Sequence, residues 1–307
     1  MLQVIVIVGP TAVGKTDLSL DIAQALDAEV INADSMQLYK GMDIGTAKVP
    51  LVERRGIAHH MLDVLEVTQT ANVADYQRDA RAVVEQIRSR GKRVVVVGGS
   101  GLFVQGLLED LQFPGSDPEV RTRLSAEAEE LGAEVMYQRL VEIDPQAARN
   151  ILPTNLRRIV RALEVVELTG QAPTTTLQQL PEVVSSIRIG LRRDREDLDQ
   201  RIAKRVEVMW EQGLVDEVRD LEKVGLRDGL TASKALGYAQ VLDFLAGEIS
   251  EAEAKDRTVS STRRYVRRQE SWFNRDSRIH WLSADSASLV TQALALAQQE
   301  PEGQSGV

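Results

Sequence analysis

The chain begins with a continuous apolar, largely β-branched run, Leu2–Val8. This pattern predicts a strand buried on both faces, as in a parallel sheet. A glycine-bearing loop, Gly9–Thr16, follows, and Asp17–Leu26 then carries apolar residues at 18, 22, 25 and 26, the spacing of a helix. Ala28–Ala33 predicts a second short strand ending at Asp34. Val73, Ala80, Val83, Val84 and Ile87 mark another helix, stopped by Gly91, and Arg93–Val97 a third strand closed by a tight turn at Gly98–Gly101. Strands alternating with helices imply a doubly wound α/β fold on a parallel sheet.

The pattern changes at Phe113–Pro118, a turn-rich stretch, after which only helical periodicity is visible to about Thr169. One helix is predicted over Leu156–Leu168, with Leu156, Ile159, Val160 and Leu163 on one face and Gly170 after its end. Gln171–Pro181 is a polar linker, and Ser186–Leu191 returns as a strand. Helices are expected near 195–212, 214–224, 231–246 and 250–273, then a strand at Arg278–Leu282. The organisation is therefore a P-loop α/β core over 1–115 plus 183–283, a helical insertion domain over 116–182, C-terminal helices, and a loose tail over 284–307 holding one weak helix.

Composition narrows the class. At 307 residues, with 43% apolar and 27% charged, the chain is an ordinary globular protein of about two domains. No apolar run nears the roughly 20 residues of a membrane span, and the first residues lack the basic leader and cleavage site of a signal peptide. The absence of cysteine rules out disulfides, thiolate zinc sites and a cysteine nucleophile, and fits a reducing cytoplasm. A net charge of −9 argues against nonspecific nucleic-acid binding by the whole surface but leaves room for a local basic groove.

The sharpest motif is Gly9-Pro10-Thr11-Ala12-Val13-Gly14-Lys15-Thr16, a full G-x-x-x-x-G-K-[ST] between a buried strand and a helix. Its glycines let backbone N–H groups wrap a polyphosphate, and the helix N-terminus adds partial positive charge. Lys15 supplies a cation, and the Thr16 hydroxyl can sit on Mg2+. The loop alone does not say whose phosphate is bound: ATP is the commonest ligand, and any diphosphate fits. Asp34, at the carboxyl edge of the sheet where open α/β folds bind ligands, can hold a metal through water or accept a proton. Asp43 lies nine residues on and is a weaker candidate. His59-His60 would point in opposite directions on a strand, so a structural or substrate-contact role is favoured over metal binding.

Arg157, Arg158 and Arg161 lie within one and a half helical turns, and Arg201 and Arg205 are four apart on one face. From Lys255 to Arg278 there are eight basic residues against three acidic, interleaved with Tyr265, Trp272 and Phe273. Phosphate contacts combined with aromatic stacking are how single-stranded RNA is held.

Four blocks occur in order: Gly9–Thr16, Asn32–Lys48, His59–Asp63 and Val97–Leu102. Together they resemble the tRNA dimethylallyltransferases, the Δ2-isopentenylpyrophosphate transferases, in their bacterial form. The resemblance runs from about Val4 to Leu282 and extends through Asp117–Arg121, Arg158–Glu164, Arg201–Val206 and Leu236–Tyr238. It implies transfer of a dimethylallyl group from dimethylallyl diphosphate to N6 of adenosine 37 in the tRNA anticodon loop, with release of diphosphate. It further implies that Gly9–Thr16 holds the donor's diphosphate and that Asp34 is the general base. Thr16 then binds the diphosphate and its Mg2+, and Arg205 contacts the diphosphate. Contacts to tRNA are implied for Asp34, Ser35, Met36 and Gln37, for Ser100 and Arg121, for Arg157, Arg158, Ile159, Val160 and Arg161, and for Lys234, Gly237 and Tyr238. The sequence departs from the family pattern at Ser100 (usually Thr), Phe103 (commonly Tyr), Arg157 (usually Gln) and Ala239 (frequently basic). A cytoplasmic monomer is expected. The rival readings are a P-loop small-molecule kinase, a prenyltransferase acting on free adenine nucleotides, and a nucleotide-switched RNA-binding module. The kinase reading leaves the Asp34–Lys48 block and the arginine-bearing insertion unexplained, and the insertion with the C-terminal arginines favours tRNA over a free nucleotide.

Overall fold

The computed structural model describes residues 3–115, 117–170 and 179–299. Leu2, the linker residues 171–178 and the tail end 300–307 lie outside the described residues. Two compact units are present: one comprises Met1–Asp110 with Pro181–Val307, the other Leu111–Leu180. The insertion thus begins five residues earlier than expected and ends two residues sooner.

The first unit is built on a six-stranded, all-parallel sheet. Its strands are β1 Val4–Val8, β2 Ala28–Asn32, β3 His59–His60, β4 Arg93–Val97, β5 Ser186–Arg192 and β6 Ile279–Ser283, in the order β3-β2-β4-β1-β5-β6. The apolar run that predicted β1 is explained by burial on both sides. Val4, Val6 and Val8 pack with Val84 and Leu107 on one face, while Ile5 and Ile7 pack with Leu18 and Ile22 on the other. The partner residues belong to α2 Val73–Ser89, α3 Gly101–Leu108 and α1 Lys15–Ala25. Ile7 is in register with Val97, and Val97 with Asn32. That register sets the loops after β1, β2 and β4 side by side at the carboxyl edge.

A further core lies under the C-terminal helices α7 Arg195–Glu211, α8 Leu214–Lys223, α9 Tyr238–Leu245 and α10 Glu251–Phe273, where Tyr39, Met42, Trp210 and Tyr238 pack together. The helix expected over 231–246 is broken: a 3-10 turn at Ala232–Lys234 precedes α9, and Gly237 at φ 87° redirects the chain between them. The strand β3 has no sequence signal, because two histidines at a sheet edge carry no apolar alternation. The tail is also more ordered than expected. Helix α11 Leu289–Ala297 buries Ala293 and Ala297 against the sheet-side core, so 284–299 belongs to the α/β unit.

Among its described residues the second unit's regular elements are all helical, as its periodicity indicated. Its helices are α4 Pro118–Ile143, bent at Gly132, then α5 Pro145–Ala148 and α6 Leu156–Thr169. Leu124, Met136, Leu140, Ile159 and Leu163 form their shared core.

Candidate active site

The phosphate-type loop leaves the end of β1 and enters α1 through Gly14, whose left-handed φ of 108° makes it the helix N-cap. Ala12 also adopts a positive φ, 63°, costly for a residue with a Cβ and typical of a loop shaped for a ligand. The Lys15 ammonium donates to the carbonyls of Gly9 at 2.9 Å and Pro10 at 2.7 Å. Burial lowers Lys15 to about 7, the nearby Asp34 charge pulling it upward and Arg205 pushing it further down. Two arginines of α7 reach the loop: Arg205 donates to the Thr11 hydroxyl at 3.1 Å, and Arg201 to the Ala12 carbonyl at 3.1 Å. Desolvation and the neighbouring Arg201 both lower the pKa of Arg205. The Thr16 side chain is exposed at the start of α1.

Asp34 follows β2. Asn32 fixes its backbone, accepting from the Asp34 N–H and donating to the Asp34 and Met61 carbonyls, each at 2.9 Å. One carboxylate oxygen of Asp34 accepts from the Met36 N–H at 2.9 Å. Burial raises the Asp34 pKa above the ordinary carboxylate value, opposed by that N–H bond and by the Lys15 charge. The Ser100 hydroxyl accepts from the Ser35 N–H at 3.2 Å and lies 3.3 Å from the Ser35 hydroxyl. It thereby joins the loop after β4 to the loop after β2. Tyr265 of α10 closes this side, its phenol pushed up to about 12 by burial and then by the Asp34 charge.

Two clefts meet at these residues. The larger, of about 530 Å3, is lined by the loop from Thr11 to Asp17 together with Asp34, Lys48, Arg201 and Arg205. The smaller, of about 260 Å3, is lined by Asp34, Ser35, Met36, Lys234, Tyr265 and Arg268. Thr11, Asp34, Thr46, Arg205 and Met209 line both. The phosphate-type loop therefore opens into a second chamber, with one partly buried carboxylate, Asp34, at the junction.

The sequence-predicted residues separate into groups. The loop Gly9–Thr16, Asp34–Gln37, Ser100, Arg205 and Lys234 converge on the clefts, with Pro10 and Val13 buried beneath the loop. Tyr238 is wholly buried, so its ring packs rather than presents a face, and its hydroxyl donates to Glu217 at 2.6 Å. Gly237 is buried too and gives its N–H to the Gln240 side chain. In the helical unit, Arg157 and Arg158 are exposed and make no ion pair among the described residues, whereas Ile159 and Val160 are core. Arg121 and Arg161 are both tied to the buried Glu164, at 2.8 and 2.9 Å.

Of the aromatic residues on α10, only Tyr265 lines a cleft. Phe273 is buried and Trp272 packs against the core at Gly101. The local positive charge is partly neutralised: Arg278 pairs with Glu109 and Asp276, and Arg257 with Glu253. His60 is held by the buried Glu29 at 2.6 Å and His59 by the Ile57 carbonyl, which fits the structural one of the two roles expected for them. Asp43 is paired with the buried Lys48 at 2.6 Å.

Sequence reasoning missed Gln269 and Glu217. Gln269 is buried on α10; it accepts from the Thr11 N–H at 3.0 Å and donates to the Gly99 carbonyl at 2.9 Å. A Cβ on Gly99 would sit 2.2 Å from the Gln269 amide nitrogen, so that glycine makes room for the crossing side chain. No spacing signal links 99, 11 and 269. The remaining signal for Gln269 is an uncharged polar residue in line with the buried face of an arginine-rich helix.

Residues 37–276 match the family model described as IPP transferase. The chain belongs to the IPP transferase family. A tRNA dimethylallyltransferase of Thermobifida fusca is 61% identical over 301 residues, covering 96% of this chain and 94% of that protein. Among solved structures, the full-length tRNA isopentenylpyrophosphate transferase of Bacillus halodurans is similar at TM-score 0.71 and 36% identity, covering 97% of this chain and 95% of the other. A eukaryotic dimethylallyltransferase acting on tRNA is similar at TM-score 0.80 and 29% identity, over 96% of this IPP transferase and 77% of its own chain.

Proposed function

We propose that this chain transfers the dimethylallyl group of dimethylallyl diphosphate to N6 of adenosine 37 in the tRNA anticodon loop, releasing diphosphate. The observation that carries the proposal is the placement of Asp34 at the junction of the two clefts, between the anion-binding loop and the chamber edged by Lys234 and Arg268. The similarity to a tRNA dimethylallyltransferase and to a dimethylallyltransferase acting on tRNA supports it.

The chemistry follows from that placement. The adenine amino group is a poor nucleophile because its lone pair is delocalised into the ring. As its nitrogen bonds to the first carbon of the allyl group, the carbon–oxygen bond to diphosphate breaks and the nitrogen proton must leave. Asp34, its pKa raised by burial, would take that proton, an assistance typically worth about 10²–10⁴-fold. The departing diphosphate gains charge beside Lys15, the loop amides and Arg205, which neutralise it where it grows. A base in an unpaired loop leaves its stack more cheaply than one in a duplex. The exposed Arg157 and Arg158 supply a phosphate-binding face suited to tRNA and superfluous for a free nucleotide.

The donor set fits Mg2+ held chiefly by a polyphosphate. The Thr16 hydroxyl and the Asp34 carboxylate share the larger cleft, and the described residues contain no cluster of three acidic or histidine ligands for a self-sufficient metal cage. When bound there, Mg2+ would supply charge neutralisation for the leaving diphosphate. The proposal places the enzyme in the cytoplasm with its tRNA. The proposal has it act as a monomer.

The test is transfer of radiolabel from dimethylallyl diphosphate into unmodified tRNA, with AMP as a rival acceptor and ATP hydrolysis as a control. Label that enters tRNA and vanishes when adenosine 37 is replaced is the expected result. Label entering AMP alone, or phosphate release from ATP without label transfer, would overturn it.

A further inference from the structure

Glu217, in the first turns of α8, spends its carboxylate on the loop between β2 and β3. One oxygen accepts from the N–H groups of Asp43 at 3.1 Å and Ile44 at 2.8 Å. The other accepts from the Gly45 N–H at 3.4 Å and the Tyr238 hydroxyl at 2.6 Å. Three successive backbone donors converge on one side chain, and no main-chain acceptor replaces it. The fit is close: a Cβ on Gly45 would lie 2.4 Å from the Tyr238 ring, so the loop is pressed against the residue that shares its anchor.

The anchored segment is the partition between the clefts. Ile44 and Ala47 line the larger, Gly45 the smaller, and Thr46 both. Among its polar lining residues the larger cleft carries apolar side chains in its wall, including Ile44, Ala47, Val208 and Met209, of which Met209 also lines the smaller. A hydrocarbon carried by a diphosphate in the loop would find its apolar contacts in that cleft among these side chains. The position of Ile44 therefore bears on how much hydrocarbon fits.

Building on the prenyl-transfer function proposed above, we propose that Glu217 is a positioning residue for prenyl-chain size: by holding the 43–45 amides it keeps Ile44 in the wall and excludes chains longer than five carbons. The rest of the loop has independent anchors. The Gln37 side chain donates to the Thr46 carbonyl at 3.1 Å, and Lys48 pairs with Asp43 and Asp63, both at 2.6 Å. Loss of Glu217 thus releases the 43–45 amides while Lys48 and Gln37 still hold the loop on either side. The effect on selectivity is bounded by what a hydrophobic wall can discriminate, roughly 10–200-fold per methylene.

The experiment compares kcat/KM for dimethylallyl and geranyl diphosphate with unmodified tRNA in the wild type, Glu217→Ala, Glu217→Gln and Ile44→Ala, with thermal melts of each. Glu217→Ala is expected to raise the geranyl-to-dimethylallyl ratio about tenfold or more. Ile44→Ala should reproduce that rise with the anchor intact, and Glu217→Gln, which keeps one acceptor oxygen, should fall between. Equal losses for both donors at an unchanged ratio would make Glu217 merely structural and overturn the inference. Should Glu217→Ala fail to fold, Ile44→Ala decides: an unchanged ratio there removes the wall from the account. A wild type that prenylates neither tRNA nor AMP would instead fail the function proposal, an outcome distinct from a working enzyme whose ratio does not move.

Discussion

The backbone N–H of Thr11, inside the phosphate-type loop, is bonded at 3.0 Å to the side-chain oxygen of Gln269, 258 residues away. The same amide holds Gly99 from its other end, so a single buried residue fixes the spacing between the donor loop and the turn that carries Ser100. Gln269→Leu leaves a donor and an acceptor without partners. We expect a loss of about 2 kcal/mol or more in urea denaturation and a raised KM for both donor and tRNA. A donor KM that moves alone would confine Gln269 to the loop.

Asp34→Asn keeps the shape and the oxygen that accepts from Met36, but cannot take a proton. Turnover is expected to fall about 10²–10⁴-fold, with tRNA and donor still bound in filter and fluorescence assays. In the wild type the rate should drop as pH falls through the Asp34 pKa, which burial holds above the ordinary 3.8. The linkage has a definite sign. A carboxylate raised on folding binds its proton more tightly in the native state, so its burial costs stability above that pKa. Asp34→Asn should therefore melt higher than wild type at neutral pH, an activity loss paired with a stability gain.

Arg205→Ala removes a guanidinium that reaches the Thr11 hydroxyl within the larger cleft. Charge-assisted hydrogen bonds contribute about 1.5–3 kcal/mol, so the KM for dimethylallyl diphosphate should rise roughly 10- to 100-fold. tRNA affinity should be unchanged. Unaltered donor kinetics would remove Arg205 from the site.

Arg157 and Arg158 are exposed and unpaired among the described residues, as phosphate contacts would be. Each replaced by Ala should lower the slope of log K against log salt for tRNA binding by about 0.7–0.9 and weaken all tRNAs alike. A variant that discriminates among tRNAs would be touching a base instead.

Glu164 is wholly buried in the helical unit and accepts from the Asp117 N–H, Arg121 and Arg161. Burial alone would raise its pKa, but the two guanidiniums outweigh that and hold it below the ordinary 4.5. A carboxylate depressed on folding contributes stability that is full above the unfolded value and lost as pH falls through the folded one. The helical unit should therefore lose hydrogen-exchange protection selectively below about pH 4.5. Glu164→Gln should cost roughly 1–3 kcal/mol at neutral pH and abolish that acid sensitivity.

What the sequence revealed follows the physics of each signal. The sheet core was legible because β1, β4 and β5 are buried on two faces and must be continuously apolar, and the phosphate-type loop because its backbone demands fixed glycines. Asp34 was placed by its position at a strand end. The insertion showed as helical periodicity, though its borders were misjudged by a few residues because the turn at Phe113–Pro118 lies inside the unit. Gln269 and Glu217 were invisible, since each works through backbone amides that are distant in sequence and leave no pattern. Tyr238, Ile159 and Val160 sat in segments matched to RNA contacts, but a matched segment on a helix also includes the residues that face inward.

The α/β unit is interrupted by 70 residues, yet the Asp110 N–H is bonded to the Pro181 carbonyl at 2.9 Å and Val183 to Leu108 at 2.8 Å. The chain leaves and returns through one gate. Excising 111–180 would require only a turn of a few residues to rejoin the ends, with little loop-closure entropy to overcome. The helical unit is in this sense a graft. It can be exchanged for that of a relative without re-threading the sheet, and a library of such chimeras would test what the helical unit contributes to RNA selection while Asp34 and both clefts stay in place.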